Sequence, residues 1–319
     1  MNGEPLFRVR NLSKDFAVAR HASLKAVDGV SFDIAGGETL GVVGESGSGK
    51  STLGRCLLGL IPASGGEVLY GGEDLLSLTP RELKRHRREM QMIFQNPKSS
   101  FNAKMSIRKC LMNVARFYGM NTEAAERRIA ELLDLTGLPE DALYRRSDQL
   151  SGGQLQRFAI VRALIPNPRF LVADEAVSAL DVSVQAQILN LFGDLKKTLD
   201  LTTLFISHDL TVVEYICDRV IVLYLGQVIE SADAAELFRN PLHPYTVSLL
   251  EARPKTDPDE VKNYKPLEGE IPSALNLPPG CRFHTRCPRM IPGVCDAIAP
   301  PETEPSAGHF VRCHLRLSE

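Results

Sequence analysis

One octet, Gly44-Glu-Ser-Gly-Ser-Gly-Lys-Ser51, limits what this chain can fold into more than any other stretch of its 319 residues. It fits the pattern G-x-x-x-x-G-K-S. Before it lies a short apolar run, Thr39–Val43, and after it Leu53, Cys56, Leu57 and Leu60 recur at helical spacing. The pattern therefore demands a strand, a tight turn and a helix in that order. Gly44, Gly47 and Gly49 let the backbone wrap an anion with no Cβ in the way. The freed N–H groups and the helix N-terminus then face that anion. Lys50 adds a point charge suited to β and γ phosphates, and Ser51 offers a hydroxyl to Mg²⁺. Ser46 belongs to the same loop, and Thr52 is placed to hydrogen-bond an α-phosphate. A plain glycine turn needs neither the lysine nor the serine, so a cradle for a nucleotide such as ATP is expected here.

The rest of the chain supplies a matching scaffold. Strand-like runs recur at Gly29–Ile34, Phe170–Ala173 and Thr203–Ile206. Between the last two, Ile188, Leu191, Phe192, Leu195 and Leu199 fall on one side of a helix. Strands alternating with helices predict an α/β fold with a largely parallel sheet. Residues 105–136 read as helices, with Asn121-Thr122 as a cap and Ile129, Leu132 and Leu133 apolar. The block at about 98–153 is therefore expected to be a helical insertion. Thirteen of the 20 prolines and four of the seven cysteines lie in residues 241–319. That shift predicts a body over residues 1–240 and a small irregular domain over residues 241–319.

The 37 basic and 39 acidic residues leave a formal charge of -2, which gives no general footprint for nucleic acid. The basic run Arg81–Arg88 is expected to be a solvated helix face. The first ten residues lack the basic end and apolar stretch of a secretory signal. No apolar run approaches the ~18 residues that span a bilayer. The chain is thus expected to be soluble by itself, with reduced cysteines, and any membrane role must come through partners.

Two further motifs carry chemistry. Phe170-Leu-Val-Ala-Asp-Glu175 is an apolar strand ending in two acids, which puts Asp174 where it can hold the water shell of Mg²⁺. Glu175 is then placed to orient and deprotonate an attacking water. Leu150-Ser-Gly-Gly-Gln154 opens a helix whose apolar face includes Phe158, Val161 and Ile165. A serine cap with two glycines at a helix start is a second anion site. An ordinary capped helix has the same start, but with one complete cradle already present, one physical use for a second is the γ-phosphate of an ATP held by another subunit.

These motifs, in this order, resemble the ABC ATPase family across the whole body. Gln95 in Met92-Ile-Phe-Gln95, Ser178-Ala-Leu-Asp181 and Ser207-His208 also match. The resemblance implies a P-loop NTPase (RecA-like) core with an antiparallel β subdomain. It implies that Gln95 touches Mg²⁺, that His208 contacts the γ-phosphate and that Asp181 reaches across a dimer. Phe16 resembles the aromatic that stacks on adenine, although a core role is equally open to it. Ser151, Gly152, Gly153 and Gln154 would grip the nucleotide of a second ATPase subunit paired head to tail.

Asn240-Pro-Leu-His-Pro-Tyr-Thr246, Leu267-Glu-Gly-Glu-Ile-Pro272 and Pro278-Pro-Gly-Cys-Arg-Phe-His284 resemble the C-terminal region of oligopeptide and dipeptide importer ATPases, some of whose relatives import nickel. The resemblance implies two transmembrane permease subunits, a related chain as the second ATPase, and indirectly a substrate-binding protein. It implies a peripheral place on the cytoplasmic face of the inner membrane. Ala176 stands where the family usually has proline, and Phe101-Asn-Ala103 replaces Leu-Asn-Pro. A soluble ABC ATPase of DNA repair, translation or iron–sulfur assembly shares the site chemistry and stays open as an alternative. Cys281, Cys287, Cys295 and Cys313 form C-x5-C-x7-C-x17-C. Four thiolates suit Zn²⁺ or a 4Fe–4S cluster, with His284, His309 and His314 as possible substitute ligands and free thiols as the remaining alternative. Branch members that resemble this pattern carry the cluster, so the resemblance implies it first.

Overall fold

A computed structural model describes residues 4–19, 22–253 and 269–316; Leu267 and Glu268 of the tail motif lie outside them. In chain order the strands are β1 (Phe7–Ala19), β2 (Ala22–Ile34), β3 (Thr39–Val43), β4 (Gly65–Tyr70), β5 (Glu73–Asp74), β6 (Met90–Ile93), β7 (Phe170–Asp174), β8 (Thr202–Ile206), β9 (Arg219–Tyr224), β10 (Gln227–Asp233), β11 (Thr303–Ser306) and β12 (His309–Val311). The helices are α1 (Lys50–Leu57), α2 (Pro80–Glu89), α3 (Ile107–Phe117), α4 (Thr122–Thr136), α5 (Gly152–Leu164), α6 (Val182–Leu199), α7 (Leu210–Ile216), α8 (Ala234–Arg239) and α9 (Pro244–Glu251). The chain divides into two compact units, one of residues 1–34, 40–76 and 207–319, the other of residues 35–39 and 77–206.

The first unit holds an antiparallel sheet in the order β2-β1-β4-β5. Its other strands run β11-β12-β10-β9-β3, parallel only between β3 and β9, where Leu40 faces Arg219 and Val43 faces Val222. β3 is buried along its whole length, as a strand covered on both faces must be, and its apolar sequence follows from that. After β3 comes α1, which buries Leu53, Cys56 and Leu57. Leu60 does not join them. Gly59 turns left-handed at φ 58°, the Leu60 N–H donates to Arg55 O at 2.9 Å, and Leu60 ends 45% exposed. The C-terminal turn stops the helix before a fourth apolar position comes round.

The proline-rich tail carries more order than its composition suggests. β12 adds to β10, with Val311 opposite Glu230 and Phe310 opposite Ser231. Phe283 packs edge-on against Tyr224 and Tyr245, with ring centroids 5.4 and 5.3 Å apart. Beneath them the buried Glu230 carboxylate accepts the N–H groups of Leu242 (2.7 Å) and His243 (2.9 Å) and meets His309 Nε2 at 2.8 Å. A carboxylate this deep needs such partners.

In the second unit β6, β7 and β8 are parallel, pairing Met90 with Phe170 and Phe170 with Thr202 at one end. β7 and β8 are wholly buried. Asn121 caps α4 by accepting the Ala124 N–H at 2.8 Å, and Gly137 ends it left-handed. The basic run lies on α2, started by a Thr79–Glu82 capping box. Leu83 and His86 are buried there while Arg81, Lys84, Arg85 and Arg88 are exposed, so the run is a solvated face.

His243 gives the first unit a pH sensitivity. Its Nδ1 accepts the Tyr245 N–H at 3.0 Å, which leaves the ring proton on Nε2. Burial pushes its pKa from 6.5 down to about 4, with the Glu230 charge opposing. Between those values the unfolded chain binds a proton that the folded chain refuses, so stability falls as pH drops through this window. The full span is worth of order 3 kcal/mol. His243→Asn keeps a capping oxygen and removes the titration. Melting curves between about pH 7 and pH 4.5 should show a shallower loss in this variant, and an unchanged slope would exclude His243 as the source.

Candidate nucleotide site

The octet forms a tight loop between β3 and α1 in the first unit. Its glycines take left-handed or extended-positive backbone, φ 148° at Gly44, 80° at Gly47 and 105° at Gly49. At two of them the neighbouring backbone explains the residue. A Cβ on Gly44 would stand 2.2 Å from Leu223 O, and one on Gly49 would stand 2.1 Å from Ala26 O. No described protein atom lies within 4 Å of a Cβ on Gly47, so its φ and the approach of the anion, not a protein neighbour, favour glycine there. Lys50 is 5% exposed, and its Nζ donates to Gly44 O at 2.8 Å and Glu45 O at 2.9 Å. Ser46 is exposed, whereas Ser51 and Thr52 are half-buried in the first turn of α1.

Two other expected residues belong to this unit. His208 is exposed and follows Ser207, whose N–H donates to Val42 O at 3.2 Å. Phe16 is 37% exposed on β1, with Lys14 Nζ 4.9 Å from its ring centroid. The core role that the sequence left open for Phe16 does not hold.

The second unit carries the acidic pair. Asp174 ends β7 and is 3% exposed. Glu175 has φ 49°, a left-handed conformation unusual for a side-chain-bearing residue. Its N–H donates to Ile206 O at 2.9 Å, and its Oε2 accepts Gln95 Nε2 at 2.6 Å. Gln95 itself is exposed. The structure thus brings Gln95 to Glu175 from a distance of 80 residues in sequence. Strain at a carboxylate so held is typical of functional positions.

Ser151 caps α5 in a closed capping box with Gln154, each N–H meeting the other's side-chain oxygen at 3.2 Å. Gly152 is exposed. Gly153 has a packing reason as well, since a Cβ there would lie 2.5 Å from Val184 Cγ1 on α6. Asp181 caps α6 by position, and its side chain is exposed. The carbonyls of Ala26 and Leu223, which shape the phosphate loop, were not anticipated; nothing local in the sequence marks them.

In the tail, Cys281, Cys287, Cys295 and Cys313 line one small cavity together with His243. Burial pushes the Cys281 thiol up to about 11 and raises Cys287 and Cys313 as well. His243 Nε2 is buried with no hydrogen-bond partner among the described residues. No three His, Cys, Asp or Glu among the described residues are arranged to hold a single metal ion.

A left-handed glycine loop around a buried lysine, at the end of a buried parallel strand, defines a P-loop nucleotide-binding protein of α/β type. Residues 27–178 match the ABC transporter family, and residues 229–295 match the oligopeptide/dipeptide transporter C-terminal region. A Brucella ovis protein provisionally named for peptide import is 50% identical over 98% of this chain and 98% of its own. The oligopeptide transport ATP-binding protein AppF of Bacillus subtilis is 44% identical over 98% of each chain. Among solved structures, cbiO1 of Clostridium perfringens, part of the transporter complex cbiONQ, superposes with a TM-score of 0.68 at 25% identity. It covers 75% of this chain and 92% of its own. The dimeric cassette MJ0796 bound to ADP and Pi gives 0.65 at 28% identity, covering 72% and 98%. The chain belongs to the ABC transporter ATP-binding family.

Two glycine substitutions separate close approach from backbone preference. Gly49→Ala meets the Ala26 carbonyl at 2.1 Å and should abolish binding of a fluorescent ATP analogue. Gly47→Ala meets no described protein atom within 4 Å and faces its φ, a cost of about 1–2 kcal/mol, so it should retain more binding than Gly49→Ala. Equal loss in the two titrations would tell against the Ala26 contact.

Proposed function

We propose that this chain is the ATP-hydrolysing subunit that powers import of oligopeptides or dipeptides through an ABC transporter. The observation that carries this reading is the match to AppF over 98% of both chains, tail included. Lys50, oriented by the Gly44 and Glu45 carbonyls, serves the β and γ phosphates, while the loop N–H groups, Ser46 and Thr52 receive the remaining oxygens. Phe16, exposed beside Lys14, offers a face to adenine. Ser51, Gln95 and Asp174 are oxygen donors of the kind Mg²⁺ takes, and the ion neutralises phosphate charge when bound. Glu175 takes the proton of the attacking water, His208 contacts the γ-phosphate, and Gln95 keeps the Glu175 carboxylate aimed. Ser151, Gly152, Gly153, Gln154 and Asp181 serve the nucleotide of a second ATPase subunit, a related chain. The dimeric form of MJ0796 supports that pairing.

Among the described residues no helix is long and apolar enough to cross a membrane. The membrane part of such an importer therefore falls to two permease subunits, with this chain peripheral on the cytoplasmic face of the inner membrane. Peptide capture falls to a substrate-binding protein. The body (residues 1–240) and the tail (residues 241–319) act as cassette and accessory domain.

The four cysteines fit a 4Fe–4S cluster. They share a cavity with the unpaired His243 Nε2–H, a donor suited to an anionic sulfur centre. The raised thiol pKa values of Cys281, Cys287 and Cys313 mean that burial disfavours bare thiolates there, a cost that a bound cation offsets. A 4Fe–4S cluster takes four thiolates as its ligands. When bound it would cross-link a segment with little apolar core. Anaerobically purified protein should be brown with about four irons per chain; colourless protein with one zinc would reverse the assignment.

Glu175→Gln should still bind ATP but lose roughly 10²-fold or more in turnover, and should abolish peptide uptake in cells dependent on this chain. Near-normal hydrolysis would remove Glu175 from the role of base. Native membranes should yield the chain together with two permeases, and recovery free of both would sink the importer reading.

A further inference from the structure

Glu45 is an odd residue for a loop that receives a triphosphate, because its carboxylate repels that ligand. The structure deals with the charge from the far end of the chain. Arg286 grips Glu45 in a parallel fork, Nη1 to Oε2 at 2.7 Å and Nη2 to Oε1 at 2.9 Å. The Arg286 side chain is 4% exposed and that of Glu45 25%, so solvent screens the pair weakly. Tyr245, fully buried, accepts the Glu45 N–H on its phenol oxygen at 2.8 Å. Glu45 is thereby held at its amide and its carboxylate by tail residues, while its carbonyl holds Lys50 Nζ at 2.9 Å.

We propose that Arg286 is a positioning residue of the nucleotide site: it cancels the phosphate loop's own negative charge and, through Glu45, fixes the carbonyls that orient Lys50. The proposal rests on the loop being an ATP phosphate site. Nucleotide affinity is then set partly by the tail. The coupling has a short path to the cysteines, because Arg286 ends the 3₁₀ turn His284–Arg286 directly before Cys287. Arg282, directly after Cys281, bonds Leu225 O and Asp28 in the same unit. Bidentate charge-assisted pairs are the strong ones, and removing one partner of a buried pair strands the other.

Dissociation constants for ATP and ADP measured on the full chain test this. Arg286→Gln leaves Glu45 uncompensated and should weaken both nucleotides by about tenfold or more. Arg286→Lys keeps the charge and should lose less. The pair E45Q/R286Q removes both charges and should recover affinity to within about threefold of the parent. A tail damaged by the loss of Arg286 would not be repaired by a change in the loop, so this rescue separates the two causes. Parental affinity in R286Q, or a double variant as weak as R286Q, overturns the proposal. Failure of the parent chain to bind ATP, or unaltered binding by Lys50→Ala, would instead remove the phosphate-site reading beneath it.

Discussion

An ammonium buried to 5% exposure is the constraint on which the first unit turns. Lys50 cannot sit there without acceptors, and it finds them in two carbonyls of its own loop. The backbone at Gly44 and Gly49 in the same loop runs through regions that a side chain would block. The blocking atoms are Leu223 O on β9 and Ala26 O on β2. The loop's shape is therefore written jointly by the octet and by two strands remote from it in sequence. A glycine-rich consensus describes half of this arrangement.

The second unit spends strain in a comparable place. Glu175 keeps a left-handed backbone at the end of a fully buried strand, and the Ile206 carbonyl and the Gln95 amide hold it there. At the start of α5 the capping box satisfies Ser151 and Gln154 mutually, and Gly153 admits Val184. The same short motif thus closes the start of α5 and packs it against α6.

Local patterns were legible in the sequence because they act locally. The strand–loop–helix about Lys50, the Asn121 cap and the acidic end of β7 each depend on neighbours a few residues away. Leu60 was misjudged because periodicity continues past the point where Gly59 turns the chain. β11 and β12 were missed because strands of four and three residues carry too few positions for an alternating pattern. Contacts across 80 residues, Gln95 to Glu175, and 241 residues, Arg286 to Glu45, leave no local mark. A hint for the second existed all the same: an acid inside an anion cradle calls for a cation from elsewhere.

β12 occupies the outer side of β10, and beyond it β11 is short, mostly exposed and interrupted by Pro305. Such a terminus is a poor template for pairing with another chain, whereas β10 laid bare would be a good one. Trimming the protein back to its cassette would strip that guard and uncover the ring of Tyr224, which packs against Tyr245 and Phe283 of the tail. The tail is in this respect a solubility device, and shortened forms would be prone to self-association whatever their competence for nucleotide.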